Sequence, residues 1–419
     1  MQIIESAKAI EPHLVELRRE FHRHPELSEQ EKETSERVLR ELEAIGGYHI
    51  RSHVGGYGIL AEITGTAPVP PTASVFAGNP VSDADATAPQ VVALRADMDA
   101  LSIREDTGLP CSSEQDGVMH ACGHDHHITI LLGAARLLRK YQQNFHGTVR
   151  LIFQPAEELS PTGGSRRMIE EGALDGAKAV FGLHVWPNLP AGVVGCKAGP
   201  QMAASDRFSV DFEGESSHGA MPDQGNDALV AGAQFVTAVQ SIIARNKNPM
   251  KAGVVTIGVF QSGSRYNIVP GSCHLEGTVR TFDPEVRTMI EKRLNTLFEG
   301  IRDGFSMKGE FQYHKGYTSV RNDPAMADFA LETAGELFGD ANAVRLEEPA
   351  MTAEDFAFYL EKVPGAFVWL GTTPEGDPVW PLHSAHYAGN EDVLWRGAAL
   401  LASLAMKQLK ADETVGEEG

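Results

Sequence analysis

Apolar positions recur with helical period through residues 1–23, interleaved with charged ones, and the pattern predicts an amphipathic helix. A second helical stretch follows His24-Pro25-Glu26-Leu27-Ser28, where Ser28 and Glu31 stand at the spacing of a capping box. Residues 58–65 and 91–96 then read as strands, divided by a Pro-, Ala-, Ser- and Asp-rich excursion at 66–90 that has no periodicity and predicts a surface insertion. Beyond it the rhythm alternates: 128–141 helical, 148–154 extended, 165–171 helical, 179–184 extended. That order favours an α/β fold, a mixed sheet flanked by helices. The texture changes between 203 and 316, where strand 207–213, helix 226–246, strands 253–261 and 273–280, helix 284–304 and strand 310–315 follow one another. A βαββαβ order is that of a ferredoxin-like α+β unit. From 317 the chain returns to α/β alternation and ends in a helix at 391–410 and an acidic tail at 411–419. The expectation is one α/β domain split between 1–202 and 317–419, with a second domain, 203–316, inserted into it.

A chain of 419 residues suits two cores better than one. Its 36 Lys and Arg against 57 Asp and Glu leave a formal charge of −21, which argues against nucleic acid or an anionic membrane as partner and fits a small substrate or divalent cations. The plainer reading of that charge is solubility. No signal-peptide pattern opens the chain, and the most apolar run, 128–138, is interrupted by Arg136, so a cytoplasmic protein is expected. Four cysteines, Cys111, Cys122, Cys196 and Cys273, are too scattered for a disulfide framework.

One of them sits in Met119-His120-Ala121-Cys122-Gly123-His124-Asp125-His126-His127, four histidines and a cysteine within nine residues, on an expected loop before a helix. A polar capping turn is the bland alternative. The density of thiol and imidazole shifts the reading to a metal site, because both are good ligands for zinc and similar ions. Phe153-Gln154-Pro155-Ala156-Glu157-Glu158 places two carboxylates directly after an apolar strand, where one can bind metal while the other handles protons. Taken alone, such a pair is usually solvated surface. His184 and His383 each end or follow an apolar run, and singly each is more often structural. Asp97 and Asp99 also end a strand, where they either orient metal ligands from behind or cap the next turn.

Together these segments, from Phe21-His22-Arg23-His24-Pro25-Glu26-Leu27 to Pro381-Leu382-His383-Ser384, resemble the metallopeptidase M20 family, in particular its amidohydrolase branch of hippurate hydrolases, N-acyl-amino-acid amidohydrolases, auxin-conjugate hydrolases and related carboxypeptidases. The resemblance covers nearly the whole chain. It implies that Cys122, His124, Glu158, His184 and His383 hold two divalent metal ions per subunit, with Zn, Mn, Co and Ni all open, and that Glu157 is the general base and then the acid. It implies a lid and dimerisation role for the inserted domain, and a homodimer or higher homo-oligomer. In that lid, His218 of Ser217-His218-Gly219-Ala220-Met221-Pro222 would bind substrate or stabilise the oxyanion, in some relatives across a dimer, and Asn267 and Arg280 would grip the substrate carboxylate. The expected substrates are N-acyl-L-amino acids or small peptides with a free carboxylate. Three departures stand out: Arg95-Ala96-Asp97 where the wider family often has His-x-Asp, His126 and Ile128 where the branch commonly has Gly and Thr, and the long 66–90 excursion. A cysteine hydrolase built on Cys122 and a non-catalytic metal- or ligand-binding protein remain the rival classes.

Overall fold

The computed structural model describes residues 2–68, 75–76, 79–80 and 90–409. Most of the predicted 66–90 insertion and all of the acidic tail lie outside them. Two central strands, Val91–Asp97 and Thr148–Gln154, are buried at every position, and their near-continuous apolar composition suits strands covered on both faces. They sit within an eight-stranded mixed sheet ordered His49–Val54, Gly58–Thr64, Thr148–Gln154, Val91–Asp97, Ala177–Pro190, Gly365–Thr373, Val194–Cys196, Ala343–Arg345. Alternate residues feed two cores. Val92, Leu94, Leu151, Phe181 and Val368 pack under helices Gln2–Arg23, His124–Lys140 and Leu394–Gln408, whereas Ala93, Ile152, Val180 and Phe367 meet Met168, Phe356 and Tyr359 on the opposite face.

Several predicted boundaries move. The helix expected from 128 begins one turn earlier, at His124, so His124 to His127 form its first turn rather than a loop. The strand expected at 179–184 runs on to Pro190. The terminal helix starts at Leu394 after a short 3-10 turn, Glu391–Val393. The capping box does not form. Helix Lys32–Ile45 has no side-chain bond at its N-cap Glu31; Glu26 instead accepts the N–H groups of Glu33 and Thr34 at 3.1 and 2.8 Å. Ser28 Oγ donates to Asp99 at 2.6 Å, a partner 71 residues away that local spacing cannot reveal.

The second sheet is antiparallel, ordered Gly253–Ser262, Ser272–Thr281, Ala204–Glu213, Lys308–Lys315, which is the ferredoxin-like arrangement. Its core is separate: Phe208, Val210, Phe212 and Leu275 against Phe235, Ile290, Leu294 and Phe298 of helices Ala228–Ser241 and Pro284–Gly304. Asp227 and Asp283 accept the first N–H groups of these helices, as good N-caps do. The first ends in a π-helical turn, Ile242–Asn246. The stretch Ala228–Asn246 is long and apolar enough, at a mean hydropathy of 1.3, to cross a membrane by composition. Here its Ala231, Phe235 and Val239 fill the lid core instead.

Candidate metal centre

Gly123 turns the chain into the helix that carries His124. Its φ is +82°, and a Cβ there would stand 2.4 Å from Val185 Cγ2 and 3.1 Å from Tyr387 Oη, so both conformation and space demand glycine. His124 Nδ1 donates to the Asp99 carbonyl at 2.8 Å, and His184 Nδ1 to the Val185 carbonyl at 2.6 Å. With Nδ1–H committed, each ring presents the lone pair of Nε2 to the same space. Cys122 Sγ lies 3.6 Å from His184 Nε2 and 3.3 Å from His383 Nε2. Glu158 Oε1 lies 3.2 Å from His383 Nε2 and 4.0 Å from His124 Nε2. His383 adopts a φ of +64° and is tied by its N–H to the Ala121 carbonyl at 2.9 Å. The five side chains singled out as ligands in the sequence thus converge in overlapping groups.

The residues fit divalent cations. His124 Nε2 and Glu158 Oε1 are buried with no hydrogen-bond partner, a state that buried polar atoms rarely tolerate. Burial, then the charges of Glu158, Glu157 and Asp97, push the Cys122 thiol far above its ordinary range. A thiolate at this point needs a cation, which is how a metal ligand behaves and how an unassisted nucleophile does not.

Behind the ligands stand groups that the sequence reading placed only partly. Asp99 is buried and accepts the N–H groups of Glu157 and Glu158 at 3.0 and 2.9 Å, which fixes the carboxylate pair on the turn after strand Thr148–Gln154. Asp97 bonds His127 Nδ1 at 2.6 Å, and His127 Nε2 accepts the Val185 N–H at 2.9 Å. Neither His127 nor the buried Arg95 was singled out. Arg95 reaches Asp97 at 2.5 Å, Gln154 at 2.9 Å, Glu354 at 3.0 Å and Asp355 at 2.9 Å. Glu354 and Asp355 are also new; an acidic pair in Ala353-Glu354-Asp355, echoing Glu157-Glu158, was the available signal.

A cavity of about 400 Å³ opens over the centre, walled by Cys122, Glu157, Glu158, His184, His383 and, from the lid, Arg280. Glu157 is 5% exposed. Burial, then the charges of Glu354 and Glu158, hold its carboxyl well above the usual range. Tyr317 Oη donates to its backbone carbonyl. Burial lowers the pKa of Arg280. His218 and Asn267 are not brought here. His218 is exposed on the two-residue strand Ser217–His218, paired with Ile268–Val269, and its Nδ1 accepts the Ala220 N–H at 3.1 Å. Neither His218 nor Asn267 lines the cavity. His126 points away from it: its Nδ1 lies 3.1 Å from Asp125, whose other oxygen is held by Arg18 and His22 at 2.8 Å.

Fold and centre define a metal-dependent hydrolase of C–N bonds. The chain belongs to Peptidase family M20/M25/M40, whose model matches residues 93–407. It is 38% identical to an N-acetyl-L-cysteine deacetylase of Bacillus subtilis (strain 168), over 96% of this chain and 90% of that protein. Identity is 34% to thermostable carboxypeptidase 1 of Saccharolobus solfataricus, over 97% and 99% of the two chains. Among solved structures it is similar to the Bacillus subtilis YXEP protein, a dinuclear metal-binding peptidase of the M20 family, with a TM-score of 0.79 and 35% identity over 97% of this chain and all of that one.

Proposed function

We propose that this chain hydrolyses the amide bond of N-acyl-L-amino acids or small peptides that carry a free carboxylate. One observation carries the reading: a single cavity is lined by Cys122, Glu158, His184 and His383, with His124 converging on them from beneath, an acid, Glu157, beside them, and an arginine, Arg280, on its wall. In this reading Cys122, His124, Glu158, His184 and His383 hold two divalent ions, for which the mixed donor set suits Zn, Mn, Co or Ni. When bound, such ions polarise a carbonyl and lower the pKa of water to about 7.

The protein's own part is proton transfer and positioning. Glu157 takes a proton from water and returns it to the amide nitrogen as the C–N bond breaks. Its buried, acid-crowded setting raises its affinity for that proton. Arg280 pairs with the substrate carboxylate. Asp97 and Asp99 hold the ligands from behind. Residues 1–202 with 317–419 form the catalytic domain, and 203–316 the lid and dimerisation domain. His218, exposed on that lid, acts as carbonyl helper in the cavity of a second copy, with Asn267 on the facing segment, whose carbonyl accepts the Gly219 N–H. The lid's exposed apolar side chains, Val254, Phe260, Tyr266 and Ile268 among them, support self-association. Four free, buried cysteines support a cytoplasmic setting.

Glu157→Gln tests the central role. Turnover of N-acetyl and N-benzoyl amino acids should fall at least about a hundredfold, with metal content unchanged; near-normal turnover refutes the assignment. Exhaustive chelation should abolish activity and added metal restore it. Activity that survives chelation would favour the cysteine-hydrolase rival.

A further inference from the structure

A second cavity of about 490 Å³ shares no lining residue with the first. Its volume is in the range of small-molecule sites. Its charges are mixed. Arg18 and Arg19 line it, but both are committed to Glu391. Arg23 is different: half-buried on the wall, its guanidinium makes no hydrogen bond or ion pair among the described residues. Asp377 and Asp392, also on the wall, are exposed carboxylates with no cationic partner among the described residues. The same wall carries Trp380, 45% exposed, and rigid proline surfaces, Pro374 and Pro378 among them. One free cation, free anions and a flat apolar wall in a single cavity match a zwitterion with an apolar side chain.

The wall between the two cavities is thin. Tyr387 lines the second cavity and packs against Gly123 of the metal loop. Gly389, also on the wall, lies against the ring of His126; a Cβ there would be 2.4 Å from His126 Cε1. One irregular segment joins both sites: His383 reaches the metal centre, and Tyr387 to Asp392 line the second cavity.

We propose that this second cavity binds a free α-amino acid, its carboxylate on Arg23, its ammonium on Asp377 or Asp392 and its side chain against Trp380, and that occupancy acts on the metal centre through the 383–392 segment. The pocket chemistry stands by itself. The regulatory consequence, an enzyme responsive to the class of molecule it releases, rests on the proposed hydrolysis.

The test uses the full metal-loaded chain with L-phenylalanine as probe. A change in tryptophan emission should saturate in the native protein and in Glu157→Gln, and vanish in Trp380→Phe. Arg23→Gln should weaken it at least tenfold, and so should replacing the probe by 3-phenylpropanoate, which lacks the ammonium, or by 2-phenylethylamine, which lacks the carboxylate. Persistence of the signal in Trp380→Phe, equal binding by either analogue, or native affinity in Arg23→Gln overturns the site. Should Arg23→Gln not fold, the double change Asp377→Asn with Asp392→Asn, both at exposed positions, serves the same comparison. Binding in Glu157→Gln reports on the pocket whether or not the chain is the hydrolase proposed. In the native enzyme, L-phenylalanine at concentrations that saturate the emission change should alter kcat at least twofold in a manner excess substrate does not relieve. An unchanged kcat with intact binding overturns the coupling.

Discussion

Asp99→Asn removes one negative charge from beneath the Glu157 and Glu158 carboxylates while keeping nearly the same shape. Asp99 is 1% exposed, and its two oxygens accept three hydrogen bonds: Glu157 N–H at 3.0 Å, Glu158 N–H at 2.9 Å and Ser28 Oγ at 2.6 Å. An amide has one oxygen. Its best orientation keeps that oxygen on Glu158 and Ser28 and turns the NH₂ toward the Glu157 N–H, so a donor faces a donor. The loss of one bond to a charged acceptor costs about 1.5–3 kcal/mol, and a buried N–H left unpaired costs about 1–3 kcal/mol more. Local relaxation recovers part of this, leaving roughly 2–4 kcal/mol. The damage falls where Glu157 and Glu158 leave the strand, so metal affinity or turnover should drop about 10–100-fold, the range for groups that orient metal ligands. Urea unfolding, competition with a calibrated chelator, and steady-state kinetics on an N-acyl amino acid measure the three effects. A variant with native midpoint, native metal affinity and native kcat would refute the reasoning.

Three further outcomes follow from other parts of the structure. Gly123→Ala should lose metal and be destabilised by at least about 1–3 kcal/mol, since the new methyl meets Val185 in a left-handed backbone; wild-type metal stoichiometry by elemental analysis would contradict this. If His218 serves a neighbouring copy, His218→Ala should be inactive alone, and mixing it with Glu157→Gln chains should regenerate about a quarter of native activity, because random exchange puts half the dimers in the mixed form and each mixed dimer has one intact site; native activity of His218→Ala alone would place His218 outside the reaction, and no recovery after demonstrated exchange would refute its action across the dimer. At Glu105, 5% exposed, burial opposes ionisation, but bonds from His22, Ser113 N–H and Thr107 bring the carboxyl down to about 2. A depressed carboxyl stabilises above its unfolded pKa and loses that as pH falls toward the folded value. The stability gap between wild type and Glu105→Gln, measured by denaturant, should therefore shrink as pH falls below about 4.5, the unfolded carboxyl's range; a gap that widens there with acid would be the wrong sign.

Part of the candidate cluster was legible because its chemistry is dense along the chain: Cys122 and His124 share one turn, and Glu157-Glu158 directly follow a strand, whereas His184 and His383, each isolated, were picked out only by the family resemblance. The two sheets were readable for a similar reason, since period-2 and near-continuous apolar runs leave little choice of element. What hid was chemistry made by distance. Arg95 inside an apolar strand reads as an interruption, and its partner Asp355 is 260 residues away. Ser28 looked like a cap because only local spacing was visible, yet Asp99 claims its hydroxyl. His124 was expected on a loop because the left-handed conformation of Gly123, which lets the helix start there, is a property of backbone packing against Val185 and Tyr387. His218 was expected near the reacting bond, and in a single chain it faces solvent.

The position of strand Gly365–Thr373 sets an order of events during synthesis. It lies between Ala177–Pro190 and Val194–Cys196, neighbours in sequence that leave a gap for a strand made much later. Four of the five proposed ligand side chains leave the ribosome before residues 203–316, and the fifth, His383, only after them. Until then the emerging polypeptide carries an incomplete candidate metal centre and an open seam through its main sheet. Closing that seam is a late, long-range step, so a chain interrupted before residue 365 has neither a finished sheet nor a finished centre, and one interrupted between 374 and 382 has every strand of the sheet but still lacks His383.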